Sequence, residues 1–88
     1  MKEFLEYIVK NIVKHPDEMK IEETVEGSIV RILIKPAKED MGVVIGKEGR
    51  TINNIRALAR AKAIKDNVKV YVDISEDGES EEAESTNS

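Results

Sequence analysis

The spacing of apolar residues changes repeatedly along the chain, and the order of these changes constrains the fold more than any other feature. Near the N-terminus the apolar residues recur with helical spacing, which predicts an amphipathic helix that ends at Pro16. Alternation follows and predicts a hairpin with a tight turn at Glu26-Gly27 and a second strand over residues 28–35. The apolar face of the helix consists of Phe4, Leu5, Ile8, Val9, Ile12 and Val13.

The second half of the chain again passes from helical to alternating spacing. Pro36 ends the second strand, and Glu39-Asp40 suits the first turn of a short helix. A longer helix and a last strand follow, with predicted inner residues Ile52, Ile55, Leu58, Ala59 and Ala63 in the helix and Val68, Val70, Val72 and Ile74 in the strand. The order α-β-β-α-α-β predicts a two-layer α+β fold, with a three-stranded sheet and helices on one face.

Charge is divided unevenly along the chain. Residues 1–75 contain all 14 basic residues and 12 acidic ones, whereas residues 76–88 contain six acidic residues and no basic one. We therefore predict one domain over residues 1–75 and a disordered acidic tail over residues 76–88. The net charge of −4 comes from the tail, so it does not argue against an anionic partner for the domain.

Other features of the composition narrow the class of protein. The chain has no cysteine, which excludes disulfides and thiolate metal sites. It has neither an apolar run of membrane-spanning length nor a secretory leader, so we expect a cytoplasmic protein.

The segment Gly46-Lys47-Glu48-Gly49 predicts a tight loop before the N-terminus of the longer helix. Backbone can approach a ligand closely at glycine, and the free N–H groups of a helix N-terminus favour a phosphate. Two glycines at this spacing are common by chance, but Ile45 and Ile52 anchor both sides of the loop. The residues around Gly46 fit neither the Walker phosphate loop nor the dinucleotide fingerprint.

Residues 44–55 resemble the glycine loop of the KH domain, and the order of elements resembles its bacterial type II form. Over residues 2–74 the chain is similar to the small bacterial single-KH proteins of the KhpA family. This resemblance implies a loop that clamps about four nucleotides of single-stranded RNA. It also implies an RNA chaperone or post-transcriptional regulator that affects cell shape and acts as a homodimer or with a larger KhpB-like partner.

The resemblance also implies an apolar groove beside the loop. Carried over by position, its residues are Gly42, Val43, Ile45 and Ile52 on the helical side and Val70 and Val72 on the last strand. Each aliphatic member could equally belong to the core.

Basic residues are concentrated around the loop. Glu48 is the one acid among six bases between residues 44 and 65, namely Lys47, Arg50, Arg56, Arg60, Lys62 and Lys65. Such a local excess is typical of a surface that holds a polyanion, although a solvated helix face would look the same. Asn53, Arg56 and Arg60 share one helical face with the loop and are predicted to border the groove. We predict that Lys47 contacts phosphate. Glu48 is also predicted to lie at the RNA, where its carboxylate either repels the phosphate or points to solvent while its backbone N–H binds.

The sequence gives little support for catalysis. His15, the single histidine, is interpreted as compensating a helix dipole, and no residue set has the spacing of an active site or a metal site. We therefore predict a protein that is not an enzyme and has no cofactor. The alternative function is a KH-fold dimerisation or protein-interaction module with weak or no RNA binding, which Glu48, the acidic tail and the lack of an aromatic stacking platform favour.

Overall fold

Three helices and three strands occur in the predicted order. The structure, a computed structural model, describes residues 1–75, so the predicted tail lies outside the described residues. The elements are α1 (Lys2–Lys10), β1 (Lys20–Glu26), β2 (Ile29–Lys35), α2 (Met41–Ile45), α3 (Arg50–Asp66) and β3 (Lys69–Ile74). Short 3-10 turns at Pro16–Glu18, Lys38–Asp40 and Lys47–Gly49 precede β1, α2 and α3. The predicted α+β class is confirmed.

The sheet is mixed, in the order β1-β2-β3. The strands β1 and β2 form the predicted antiparallel hairpin, and β3 lies parallel to β2 with Val30 opposite Val70. The hairpin turn is Gly27-Ser28, one residue later than predicted, because the pairing continues to Glu26 opposite Ile29. The strand β3 lies at one edge of the sheet.

The helices cover one face of the sheet and bury its alternate side chains. On β2 these are Val30, Ile32 and Ile34. The residues that alternate with them point to the opposite face, where Arg31 is exposed and Leu33 half-buried. Burying one large aliphatic side chain contributes about 1.5–3 kcal/mol, so this layer accounts for much of the stability of a small domain without cysteine. The buried cluster consists of Leu5, Val9, Val13, Met19, Ile21, Val30, Ile32, Ile34, Val44, Ile52, Ile55, Ala59 and Val72.

The first helix is shorter than predicted. It ends at Lys10, and a turn follows in which the Val13 N–H donates to the carbonyl oxygen of Val9 at 3.1 Å. Val13 is buried, whereas Ile12 is exposed. The interpretation of His15 as compensating a helix dipole is wrong, because His15 lies beyond the turn and precedes the 3-10 turn at Pro16.

A buried carboxylate explains why the chain turns there. Asp40 is fully buried at the start of α2 and accepts hydrogen bonds from the N–H groups of Lys14, at 3.1 Å, and His15, at 2.8 Å. Two backbone donors compensate for the burial of its charge. Asp40 therefore fixes the segment after α1 to the element that leads into the glycine loop.

Leu58 does not lie on the inner face of α3 as predicted, since 47% of it is exposed. The buried residues of α3 are Ile52, Ile55, Ala59 and Ala63, whose spacing of three or four matches the helical repeat. With Ala59 in the inner position, the adjacent Leu58 is rotated by about 100° and lies on the flank towards Phe4.

Candidate nucleic-acid interface

The glycine loop has an unusual backbone that the sequence allows. Gly46, Glu48 and Gly49 have φ angles of +80°, +58° and +77°. Gly46 also has ψ of 169°, a combination that is almost restricted to glycine. The Gly49 N–H donates to the Gly46 carbonyl oxygen at 3.1 Å, which closes the loop into one tight turn.

Packing against Thr51 gives Gly46 a second constraint. A Cβ atom added to Gly46 would overlap Thr51 Oγ1 and lie 2.6 Å from the Thr51 backbone nitrogen. At Gly49 the same addition would meet only Asn53 Nδ2, at 3.8 Å. The loop is therefore pressed against the first turn of α3, with the amide of Asn53 beside it.

Within residues 1–75, no side chain caps the N-terminus of α3. The N-cap residue is Gly49, which leaves the first-turn N–H groups without a capping hydrogen bond from those residues. These groups are positively polarised and therefore attract an anion. Lys47 and Glu48 are exposed, so a ligand can reach both side chains from solvent.

The side chain of Glu48 forms an ion pair with that of Arg50 at the start of α3. Its Oε1 lies 3.7 Å from Arg50 Nη2, and both side chains are more than 70% exposed. An ion pair this exposed contributes about 0–1 kcal/mol. A phosphate can therefore compete for Arg50 with little loss.

One flank of α3 borders a shallow cleft along the edge of β3. The cleft has a volume of about 270 Å³ and is lined by Arg31, Arg56, Arg60, Val70, Tyr71, Val72 and Asp73. Arg60 is exposed, and within residues 1–75 no carboxylate oxygen lies within 4 Å of its guanidinium group. The Arg60 guanidinium, which has no carboxylate partner among residues 1–75, therefore borders the cleft.

Arg56 is held more tightly than Arg60. Its Nε donates to the Val72 carbonyl oxygen at 2.9 Å, and its Nη2 lies 3.8 Å from Asp73 Oδ1. Val72 directs this carbonyl away from β2, so Arg56 covers part of the open edge of the sheet. Arg56 therefore positions α3 against β3 as well as contributing charge.

The predicted basic group is divided between two flanks of α3. Arg56 and Arg60 border the cleft, whereas Lys62 lies over the Phe4 ring, 5.8 Å from its centroid, and pairs with Asp66 at 3.1 Å. Lys65 lines the same far side as Lys62. The structure therefore does not bring Lys62 and Lys65 to the loop flank.

The apolar residues assigned to the groove differ in exposure. Ile52 and Val72 are buried in the core, while Val43, Ile45 and Val70 keep part of their surface accessible. Gly42 is exposed in α2, and a Cβ atom there would meet no other atom within 4 Å. The accessible members are those that a ligand can reach.

Sequence reasoning missed three residues at this site. It assigned no role to Arg31, Thr51 or Tyr71. The signal for Thr51 was its position in the first helical turn after a glycine. For Arg31 and Tyr71 the only signal was their place on the outward-facing side of two strands, and the sequence did not show that these strands are neighbours.

Two other kinds of site find no support in the described part of the chain. No group of three or more His, Asp or Glu side chains within residues 1–75 is placed to hold a metal ion. Among the helices of those residues, none has the length and apolar character needed to cross a membrane.

A mixed three-stranded sheet covered on one face by helices, with a glycine loop between α2 and α3, defines the KH domain in its type II arrangement. Residues 2–74 match the family model described as KhpA/KhpB, KH domain. The chain belongs to this family.

Relatives in several bacteria agree with the family match. The RNA-binding protein KhpA of Chlamydia muridarum (strain MoPn / Nigg) is 48% identical over 77 residues, covering 88% of this chain and 99% of the relative. The protein of the same name from Clostridium acetobutylicum is 43% identical, covering 84% of this chain and 99% of the relative. That of Halalkalibacterium halodurans is 38% identical, with 84% and 97% covered. No solved structure matches the chain significantly.

Proposed function

We propose that this protein binds single-stranded RNA through the loop Gly46–Gly49 and the adjoining flank of α3. The observation that carries the proposal is the tight loop with three positive φ angles, pressed against a helix N-terminus that no side chain of residues 1–75 caps. The relatives named RNA-binding protein KhpA support the same ligand.

We propose that different parts of the RNA contact different parts of the site. A phosphate lies against the backbone of the loop and the first turn of α3, with Lys47 supplying charge. Bases lie over the accessible apolar residues Ile45 and Val70, and the amide of Asn53 and the guanidinium of Arg60 supply hydrogen bonds. Such a site requires unpaired bases, because the edges of paired bases in an RNA helix are poorly accessible.

Replacing Lys47 and Glu48 with aspartate tests the loop. We expect the variant Lys47→Asp/Glu48→Asp to keep its fold and lose at least ten-fold in affinity for a labelled single-stranded RNA, because Lys47→Asp replaces a positive charge with a carboxylate that repels phosphate, while Glu48→Asp keeps the negative charge already present. Lys2→Asp/Glu3→Asp is the matched control, since it makes the same two changes at exposed positions on α1, which packs on the far strand β1. Equal affinities for the two folded variants would remove the loop from the mechanism.

A second candidate function is protein association, alone or combined with RNA binding. On the outer surface of α3 Leu58 is 47% and Ile64 74% exposed, and the small residue Ala61 lies between them with Phe4 beside Leu58. Exposed apolar clusters of this kind mark interaction surfaces. We propose that this flank joins two copies of the chain or binds a KhpB-like protein.

Association would also serve RNA binding, because two weak clamps on one strand bind far more tightly than either alone. On this basis we propose the cellular role of an RNA chaperone or post-transcriptional regulator. Molar mass in solution tests the association: a dimer that Leu58→Glu converts to a folded monomer supports this flank, and an unchanged mass excludes it.

A further inference from the structure

An arginine and a tyrosine form a stacked pair on the face of the sheet that the helices leave open. Arg31 on β2 lies directly opposite Tyr71 on β3, and the Arg31 guanidinium carbon is 5.3 Å from the centroid of the Tyr71 ring. Tyr71 is 49% exposed. Within residues 1–75, no carboxylate oxygen lies within 4 Å of the Arg31 guanidinium. The pair therefore offers an exposed ring and an unneutralised charge.

This pair is continuous with the cleft beside α3. Arg31 and Tyr71 line the same cleft as Arg56 and Arg60, so the cleft passes around the edge of β3 to the open face. Arg60 lies ten residues after the first residue of α3, which is about 15 Å along the helix axis from the glycine loop. An RNA strand that is clamped at the loop and runs along the edge of β3 would bring the nucleotides next to the clamped ones to Arg31 and Tyr71.

Charge in this part of the cleft favours a polyanion. Three arginines face one acid, Asp73, and Arg56 already lies 3.8 Å from the Asp73 carboxylate. Arg31 and Arg60 keep their charges free to bind a phosphate. An exposed aromatic face beside free guanidinium groups is the combination that holds an unstacked base together with its phosphate.

We propose that Tyr71 and Arg31 form a stacking site for one nucleotide of single-stranded RNA beyond those held at the glycine loop. The base stacks on the exposed part of the Tyr71 ring, and its phosphate contacts Arg31 or Arg60. This inference rests on the proposed RNA binding and extends the length of strand that one domain contacts.

Oligonucleotides of two lengths test the site. Labelled single-stranded RNAs of mixed sequence, four and eight nucleotides long, are titrated against the full chain and its variants. We expect Tyr71→Ala to weaken binding of the longer RNA about five-fold or more, as loss of one base stack predicts, and to leave the shorter RNA unaffected. Tyr71→Phe, which keeps the ring, should bind both like the unmodified chain.

Two further measurements keep the test independent of stability. Arg31→Gln leaves the ring in place and should weaken the longer RNA alone, by a smaller factor. The ring resonances of Tyr71 should shift when the eight-nucleotide RNA binds and stay unchanged with the four-nucleotide RNA.

The outcomes separate this inference from the proposed function. If both RNAs bind and Tyr71→Ala changes neither affinity, the stacking site is wrong and the loop mechanism stands. If neither RNA binds to the unmodified chain, the proposed RNA binding is wrong, and so is the proposed stacking site. An oligoglutamate peptide that shifts the Tyr71 ring resonances as strongly as the longer RNA would overturn the choice of ligand.

Discussion

At the scale of single residues, Gly42 and Gly46 show that glycines of one segment can be required for different reasons. Gly46 combines a φ of +80° with direct packing against Thr51, so the fold itself excludes a side chain there. Gly42 lies in α2 with open space above it, so the fold would accept a side chain. Any requirement for glycine at position 42 must come from a bound partner.

Alanine at the two positions should have opposite effects on stability. Gly46→Ala should lower the free energy of unfolding by more than about 2 kcal/mol, through backbone strain and overlap with Thr51. Gly42→Ala should raise it by about 0.5–1 kcal/mol, because alanine is the better helix former. Urea denaturation followed by circular dichroism measures both changes.

The same Gly42→Ala variant tests how closely RNA approaches α2. If a nucleotide packs on the open surface at Gly42, the added methyl group should weaken RNA binding several-fold although the protein is more stable. A variant with unchanged affinity would place the RNA away from α2 and remove Gly42 from the groove.

Individual residues also show where sequence reasoning reached its limit. The position of the loop could be predicted, because glycines mark tight turns and the flanking isoleucines mark the elements on either side. The left-handed conformation of Glu48 could not, since glutamate rarely adopts it and here the closed turn imposes it. The exposure of Leu58 could not be predicted either. It depends on whether tertiary packing turns Leu58 or the adjacent Ala59 towards the core, and both are apolar.

At the scale of elements, the Asp40 carboxylate connects two parts of the chain that sequence patterns treat separately. It lies at the junction of the 3-10 turn with α2 and accepts hydrogen bonds from Lys14 and His15. The sequence indicated a helix start at Glu39-Asp40 but gave no sign that the acid would be buried. Element types were predictable from local periodicity. This contact was not, because Asp40 lies 26 positions after Lys14 and 25 positions after His15 in the sequence.

Removing this carboxylate should loosen both segments. We expect Asp40→Ala to lower the free energy of unfolding by about 2–4 kcal/mol, because two part-buried N–H groups lose their acceptor and a fully buried side chain is truncated. Asp40→Asn keeps one acceptor oxygen and should lose less. Asp17→Ala, at an exposed acid in the turn before β1, is the control. Equal effects at Asp17 and Asp40 in urea denaturation would show that the buried contact adds nothing to stability.

At the scale of the whole molecule, charge separates the domain from the last residues of the chain. The net charge is −4, but residues 1–75 are positive overall and six acids lie in residues 76–88. Arg31, Arg60 and Lys47 have no carboxylate within 4 Å in the described part of the chain. A molecule with this distribution should bind RNA in a strongly salt-dependent manner.

Salt dependence tests this distribution directly. Neutralising two to four phosphates predicts that affinity for single-stranded RNA falls about 7- to 50-fold between 50 and 200 mM salt. Deleting residues 76–88 should strengthen binding several-fold at the lower salt concentration and hardly at the higher one, because screening removes competition from the six acids. Fluorescence anisotropy at both concentrations measures these effects. Flat affinity across this range would indicate mainly apolar contacts.

The central claim is that the loop Gly46–Gly49 and the cleft between α3 and β3 form one RNA site. The most direct measurement is amide chemical-shift mapping during titration with a single-stranded RNA of eight nucleotides. We predict that the largest shifts occur at residues 46–51, with further shifts along β3 at residues 70–73 and none on α1. Shifts confined to the flank of α3 around Leu58 and Ile64, or absent from residues 46–51, would contradict the account.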